Sequence, residues 1–263
     1  MNDGPFTVSY GGGTNSTAML VGLLERGEKP DLITFADTGA EMPHTYEHLN
    51  AMQSKVNEWW GMEIVIAKAT YNGVFESLTD SCLRKKVLPS LAYGRKACSL
   101  KHKVEPQEKI IAKWMKDGGL SSVVTCIGYD ANEGHRRLSA SSKEIRAGKL
   151  VSYRYPLVEW QWRREECVQA ICRHGLSQPG KSACFFCPAS KPSEVLRLAK
   201  NHPDLMQTAL EIEAGAQPNM KQYRGLGGEN NLWANWLEKY GGQTEFTGLD
   251  LEPMHAPCGC FDQ

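Results

Sequence analysis

The chain opens with a short β-prone run, Phe6 to Tyr10, that stops at three successive glycines, Gly11-Gly12-Gly13. Apolar residues then recur at helical spacing from Ser16 to Arg26, through Ala18, Met19, Leu20, Leu23 and Leu24. A second apolar run, Asp31 to Ala36, ends in Asp37-Thr38-Gly39. The pattern predicts a helix over His44 to Trp60 and a third strand over Glu63 to Ala67. Alternating strands and helices separated by a glycine turn are the pattern of a parallel, doubly wound sheet. Further along, Val104 to Lys116 reads as a helix, Ser122 to Tyr129 as a buried strand and Asp130 to Lys149 as a polar loop. Arg163 to His174 reads as another helix, closed by Gly175. From about Ser177 onward helix and loop dominate. The expected fold is therefore α/β: a Rossmann-like doubly wound parallel sheet over residues 1–176, with a mostly helical, cysteine-containing C-terminal subregion over 177–263. Such sheets bind ligands at the carboxyl ends of their strands, where Gly11–Gly13 and Asp37–Gly39 both fall.

Composition narrows the class. At 263 residues, 41% hydrophobic and 23% charged, the chain can bury a core. Thirty basic and thirty acidic side chains cancel, so no global field draws it to nucleic acid or membrane. A nucleic-acid acceptor is not indicated by net charge, although neutrality of the whole leaves room for a local basic patch. There is no apolar run long enough to span a bilayer, and the start Met-Asn-Asp-Gly-Pro lacks the features of a secretion signal. The expected location is the cytoplasm, where cysteines stay reduced. Nine cysteines, an odd number at uneven spacing, point to metal or sulfur chemistry and away from a disulfide scaffold.

The stretch Ser9-Tyr10-Gly11-Gly12-Gly13-Thr14-Asn15-Ser16-Thr17 has the makings of an anion cradle. Glycines let backbone approach phosphate oxygens, and the open amides at a helix start favour negative charge. It matches neither the Gly-x-Gly-x-x-Gly fingerprint nor the Gly-Lys-Ser/Thr phosphate loop. It resembles the Ser-Gly-Gly-x-Asp-Ser pyrophosphate loop of the adenine nucleotide α-hydrolases: Gly12, Gly13 and Ser16 match, Gly11 stands where Ser is frequent, and Asn15 replaces Asp. Further segments, in order, resemble the phosphoadenosine-phosphosulfate reductases of that superfamily. These are Asp37-Thr38-Gly39 with Pro43-His44-Thr45-Tyr46, Cys98-Ser99 with Lys103 and Pro106, and Ile127-Gly128-Tyr129-Asp130 with Glu133 and Arg136-Arg137. Tyr155-Pro156-Leu157 with Trp160, and Cys184-Phe185-Phe186-Cys187-Pro188, complete the series. Asp130 departs from it, standing where the family has Arg.

The resemblance implies an adenine nucleotide, ATP or a sulfonucleotide, held by Ser9 to Thr17, Asp37, Thr38, Gly39, Gly128, Arg136 and Arg137, with Mg2+ sharing the pyrophosphate charge. Asn15, Ser16 and Arg136 are the expected catalytic side chains. The family's Asp helps place the magnesium or the pyrophosphate, so Asn15 makes binding a firmer expectation than cleavage. The paired arginines suit phosphate or sulfate because guanidinium offers parallel donors.

Cys184-x-x-Cys187 has the reach to place two thiolates on one metal. Cys98 is the expected third ligand, and Cys260, in preference to Cys258, the fourth. Spacing does not choose between zinc and iron–sulfur. The resemblance to adenylylsulfate reductases and to DNA phosphorothioation sulfur-transfer proteins implies a 4Fe-4S cluster ahead of Zn2+. Cys126, Cys167, Cys172 and Cys82 read as ordinary cysteines, and His102 and His135 as solvent-exposed. Basic clusters at Arg84-Lys85-Lys86 and Arg95-Lys96 flank Cys98, as steering charge or as a solvated loop.

Three functions compete. The first is ATP-dependent sulfur transfer, in which an acceptor is adenylated, pyrophosphate leaves and a sulfur nucleophile replaces the activated group, with a sulfur-donor protein as one expected partner. The second is reduction of adenylylsulfate or phosphoadenylylsulfate; the tail Pro257-Cys258-Gly259-Cys260-Phe261 has only part of the Glu-Cys-Gly-Leu-His pattern of true reductases. The third is an accessory protein that binds ATP without turnover. The sequence leaves the oligomeric state and the sulfur acceptor open.

Overall fold

Two of the apolar runs are buried along nearly their whole length, as strands covered on both faces must be. In the computed structural model, which describes residues 4–133, 150–220 and 224–240, they form the centre of a five-stranded sheet. The strands are β1 (Phe6–Tyr10), β2 (Leu32–Asp37), β3 (Ile64–Lys68), β4 (Ser122–Ile127) and β5 (Leu150–Arg154). All pairings are parallel, in the order β3-β2-β1-β4-β5. The chain thus winds outward from β1 in both directions, and the ends of β1 and β4 meet where the strand order reverses.

Both faces are covered. On one lie α1 (Thr14–Glu25), α2 (Pro43–Trp60) and α5 (Arg164–Arg173), sharing a core of Met19, Leu20, Met52, Val56 and Ile171 with Val8 and Ile33. On the other lies α4 (Glu105–Asp117), whose Ile111 and Met115 pack with Leu32 and Val123. Helix α1 is buried from Thr14 to Leu23. A side chain at Gly22 would put its Cβ 2.2 Å from the Trp160 ring, and Arg26 stacks 3.9 Å over that ring. Trp160 thereby holds α1 at the sheet.

A second core belongs to the helical part: α3 (Leu78–Lys85), α6 (Pro192–Asn201), α7 (Pro203–Ala216) and α8 (Trp233–Tyr240) close around Phe186, Ile212 and Trp233. Among the described residues no helix is long and apolar enough to cross a membrane.

Element ends differ from the pattern by one or two residues. Among the pieces that escape it are β5, α3, and a hairpin of Thr70–Tyr71 with Val74–Phe75. The hairpin's Asn72-Gly73 turn has φ of 51° and 79°, the left-handed pair that Asn-Gly favours. Its strands of two residues are too short to show an alternation. Of the expected loop over 130–149, residues 131–133 form a short helical turn; 134–149 lie outside the described residues.

Candidate functional site

Helix α1 starts without a side-chain cap: its N-cap is Gly13, and its first turn contains no acidic residue. The first amides of a helix have no carbonyl four residues back. Among the described residues none accepts from the amides of Thr14, Asn15 and Ser16. Gly12 has φ of +73°, and a Cβ there would meet Thr45 and Phe35 at 3.1 and 3.2 Å, so backbone alone fits the turn. The Thr14 hydroxyl is buried with no hydrogen-bond partner. Ser16 donates to the Gly13 carbonyl at 3.0 Å. This is a donor-rich turn, the arrangement that receives phosphate at a helix N-terminus.

Not every residue of the glycine stretch belongs to that turn. Tyr10 is buried, its hydroxyl 3.2 Å from the Thr17 hydroxyl, which lies 3.0 Å from His48 Nε2. Burial raises the Tyr10 hydroxyl well above the usual tyrosine value. Burial, reinforced by His44, lowers the His48 imidazole to about 4. Tyr10 and Thr17 brace the loop from within the core. Ser9 sits in β1 between Thr34 and Ile127.

Asn15 is fully engaged. Its amide nitrogen donates to Asp130 Oδ2 at 3.0 Å and to Glu133 Oε2 at 2.8 Å, and its oxygen accepts from Arg164 at 2.8 Å. Two carboxylates can only accept and a guanidinium can only donate, so this orientation is the one that satisfies all three. Asn15, which departs from the pyrophosphate loop, and Asp130, which departs from the segment after Gly128, therefore touch each other. Gly128 is packed against the same turn: a Cβ there would lie 2.9 Å from Ser16 Cα and 3.0 Å from its nitrogen. Arg136, Arg137 and His135 lie outside the described residues.

At the end of β2, Asp37 Oδ1 accepts from the Gly39 amide and the Tyr46 hydroxyl, both at 2.8 Å. Lys68 lies 3.4 Å from its other oxygen. Asp37 does not cap α2, whose N-cap is Met42; it closes a turn in which Gly39 has φ of +67°. Thr38 donates to Glu41 at 3.0 Å, and its hydroxyl lies 3.5 Å from Cys184 Sγ.

That contact joins the two expected sites. Residues 183–185 run antiparallel to 40–42, with Met42 donating to the Ala183 carbonyl and Phe185 to that of Ala40. Just before them, Ser182 donates to the Gly11 carbonyl. Cys187 follows in a tight turn, its amide 3.1 Å from the Cys184 carbonyl. Burial pushes the Cys184 thiol well above the usual cysteine value, and burial raises Cys187 too. Lys103 lies 3.0 Å from Glu41 in a pair almost wholly removed from solvent. Burial alone would lower the Lys103 ammonium, but Glu41 and Cys184 outweigh it and hold it above the usual lysine range. Cys98 packs into the same apolar cluster as Cys184 and is near enough to both Cys187 and Cys82 to raise their thiols further.

Among the described residues no three His, Cys, Asp or Glu side chains converge as a metal site requires. Cys98, Cys184 and Cys187 share a neighbourhood, not a closed site, and Cys258 and Cys260 lie outside the described residues. His102, expected at the surface, is instead buried, its Nδ1 without a partner. A π-helical turn over Leu100–Val104 carries it inward together with Lys103. Sequence reasoning also missed Glu41, Ser182 and Arg164, whose partners lie 62, 171 and 149 residues away.

Residues 5–177 match the phosphoadenosine phosphosulfate reductase domain family. Among solved structures, the chain is similar to the U34-tRNA thiolase NcsA from Methanococcus maripaludis with its 4Fe-4S cluster. The identity is 16% and the TM-score 0.47, over 83% of this chain and 73% of that one. No curated protein matches the chain.

Proposed function

From the premise that this chain belongs to the phosphoadenosine phosphosulfate reductase domain family, we propose that it is an ATP-dependent sulfur-transfer enzyme. The observation that carries this reading is the adjacency of an uncapped phosphate cradle to the Cys184 and Cys187 thiols. Ser182 bonds to Gly11, and Thr38 reaches Cys184, at the same end of the sheet. ATP would lie with its phosphates on the Thr14, Asn15 and Ser16 amides and the Thr14 hydroxyl, with Mg2+ entering as part of the nucleotide. An acceptor oxygen attacks the α-phosphorus and pyrophosphate departs, its growing charge met by the cradle. Hydrosulfide then attacks the acceptor carbon, AMP leaves with the oxygen, and the carbon keeps the sulfur; were the donor a cysteine persulfide, a second cysteine thiolate would have to cleave the resulting S–S bond, leaving a disulfide on the protein.

The thiols suit a sulfur-ligated metal in kind and neighbourhood. Cys98, Cys184 and Cys187 would supply three ligands, and Cys260 the fourth. A 4Fe-4S cluster so held would present sulfur beside the nucleotide; zinc would fix the fold. Lys103 places a positive charge next to thiolates that burial otherwise disfavours.

The test is calorimetric titration of ATP with magnesium, followed by pyrophosphate release with and without sulfide. Binding with sulfide-dependent release is expected. Binding without release would favour a non-catalytic ATP-binding accessory role. Family membership also favours reduction of a sulfonucleotide, and sulfite formed from adenylylsulfate and a thiol would establish that reaction instead. Anaerobic purification should give a brown protein; a colourless zinc protein would remove the cluster.

A further inference from the structure

We infer that the face built by the edge strand β3, the Thr70–Phe75 hairpin, α3 and the loop to Arg95 binds single-stranded nucleic acid and leads it to the thiol site. The inference rests on the sulfur-transfer reading above and names its acceptor class.

Two surface properties coincide on this face. From Lys68 to Lys101 there are seven Lys and Arg against two acidic residues, Glu76 and Asp80, a surplus of five positive charges. The whole chain, by contrast, sums to zero. All the large hydrophobic side chains left exposed among the described residues also fall here, between Val65 and Tyr93. Val74 is 71% exposed, Tyr71 49%, and Phe75 and Tyr93 41% each.

The rings and cations are interleaved. Arg84 lies 4.1 Å over Tyr71 and is held by Glu76 at 2.7 Å, and Lys68 lies 4.7 Å over Phe75. Lys86, Arg95 and Lys96 have no carboxylate partner among the described residues. An apolar patch alone would suit a protein partner. Ring faces set among surplus cations suit a chain that alternates planar bases with phosphates. A duplex buries its base faces and would leave the rings idle.

The face is continuous with the site. Leu78 donates to the Thr38 carbonyl at 2.8 Å, and Lys68 reaches Asp37. Phe75 lies so close to Gly39 that a Cβ there would be 2.9 Å from its ring. Thr38 in turn meets Cys184. A strand laid over Tyr71 and Phe75 would therefore end at the loop between nucleotide and thiol.

The test is fluorescence anisotropy with the full chain and a labelled oligomer of about 15 nucleotides, as RNA, as DNA and as the matching duplex. Either single strand should bind more tightly than the duplex, with affinity falling between about 50 and 200 mM salt. The triple substitution Lys86→Glu, Arg95→Glu, Lys96→Glu should weaken binding at least tenfold. It should also flatten the log–log salt slope by about 2, at roughly 0.7 for each phosphate no longer neutralised. Tyr71→Ala should weaken binding roughly tenfold with the slope unchanged. No binding by about 100 µM, equal affinity for duplex, or binding that survives the triple substitution would overturn the inference. So would a wild-type dimer that Tyr71→Ala dissociates, or binding confined to anionic lipid vesicles. ATP titrations on the same proteins keep the two readings apart. ATP bound without strand binding sinks the surface alone, and strand binding without ATP sinks the nucleotide reading alone.

Discussion

Replacing Asn15 with Asp restores the residue found in the family's pyrophosphate loop and should damage this protein. The Asn15 amide donates to Asp130 at 3.0 Å and Glu133 at 2.8 Å while accepting from Arg164 at 2.8 Å. A carboxylate of the same shape would meet two like charges and one unlike. With charge centres about 4 Å apart and an effective dielectric of about 20, each pair is worth roughly 4 kcal/mol, leaving about 4 kcal/mol net repulsion. The variant can escape part of this by holding a proton. At pH 7 that costs about 4 kcal/mol against an unfolded carboxyl that titrates near 3.9, so both routes give the same ceiling. At pH 5 the proton costs only about 1.5 kcal/mol. The new carboxyl would titrate higher in the folded chain than in the unfolded one. The folded state then binds more protons, and the damage grows with pH above about 4.

Urea unfolding followed by tryptophan fluorescence should show Asn15→Asp losing about 4 kcal/mol at pH 7 and about 1.5 kcal/mol at pH 5. Adding Asp130→Asn moves the carboxylate from the strand end to the loop without changing the total charge. The double variant should regain about 2 kcal/mol relative to the sum of the single changes. A loss under about 1 kcal/mol at both pH values, or an additive cycle, would refute the network as described.

Thr14→Val removes a buried hydroxyl that has no partner. It should leave unfolding stability unchanged or up to about 1 kcal/mol higher while weakening ATP binding roughly fivefold by calorimetry. Gly128→Ala puts a Cβ 2.9 Å from Ser16 Cα, side chain against backbone with no flexible end to yield. It should cost about 1–3 kcal/mol in urea unfolding and more than tenfold in ATP affinity. His48 is held neutral by burial, its imidazole at about 4 against about 6.5 unfolded. The unfolded chain takes up that proton first, so stability should fall by up to about 3 kcal/mol as pH drops from about 6.5 to 4. His48→Gln should flatten that part of the pH–stability curve.

The parts of the fold legible in the sequence are those whose burial repeats over five or more residues. β1, β2 and α1 each carry an apolar run whose length and flanking glycines choose between strand and helix, and the glycines between them mark the turn. The Thr70–Phe75 hairpin carries a local signal, Asn72-Gly73, but too little strand on either side to stand out. Lys103 shows another kind of blindness. A π-helical turn over Leu100–Val104 rotates it inward, and its partner Glu41 lies on a different segment, so no local pattern marks the pair. The Asn15 substitution is the sharpest case. Read singly, Asn15 and Asp130 are two losses: a missing acid in the loop and a missing base after Gly128. Placed 3.0 Å apart, they form one exchange, with the negative charge withdrawn from the phosphate cradle to the strand behind it and Arg164 supplying the cation. A cradle without a carboxylate in its first helical turn repels phosphate less. The substitution that counted against turnover in the sequence therefore supports nucleotide binding in the structure.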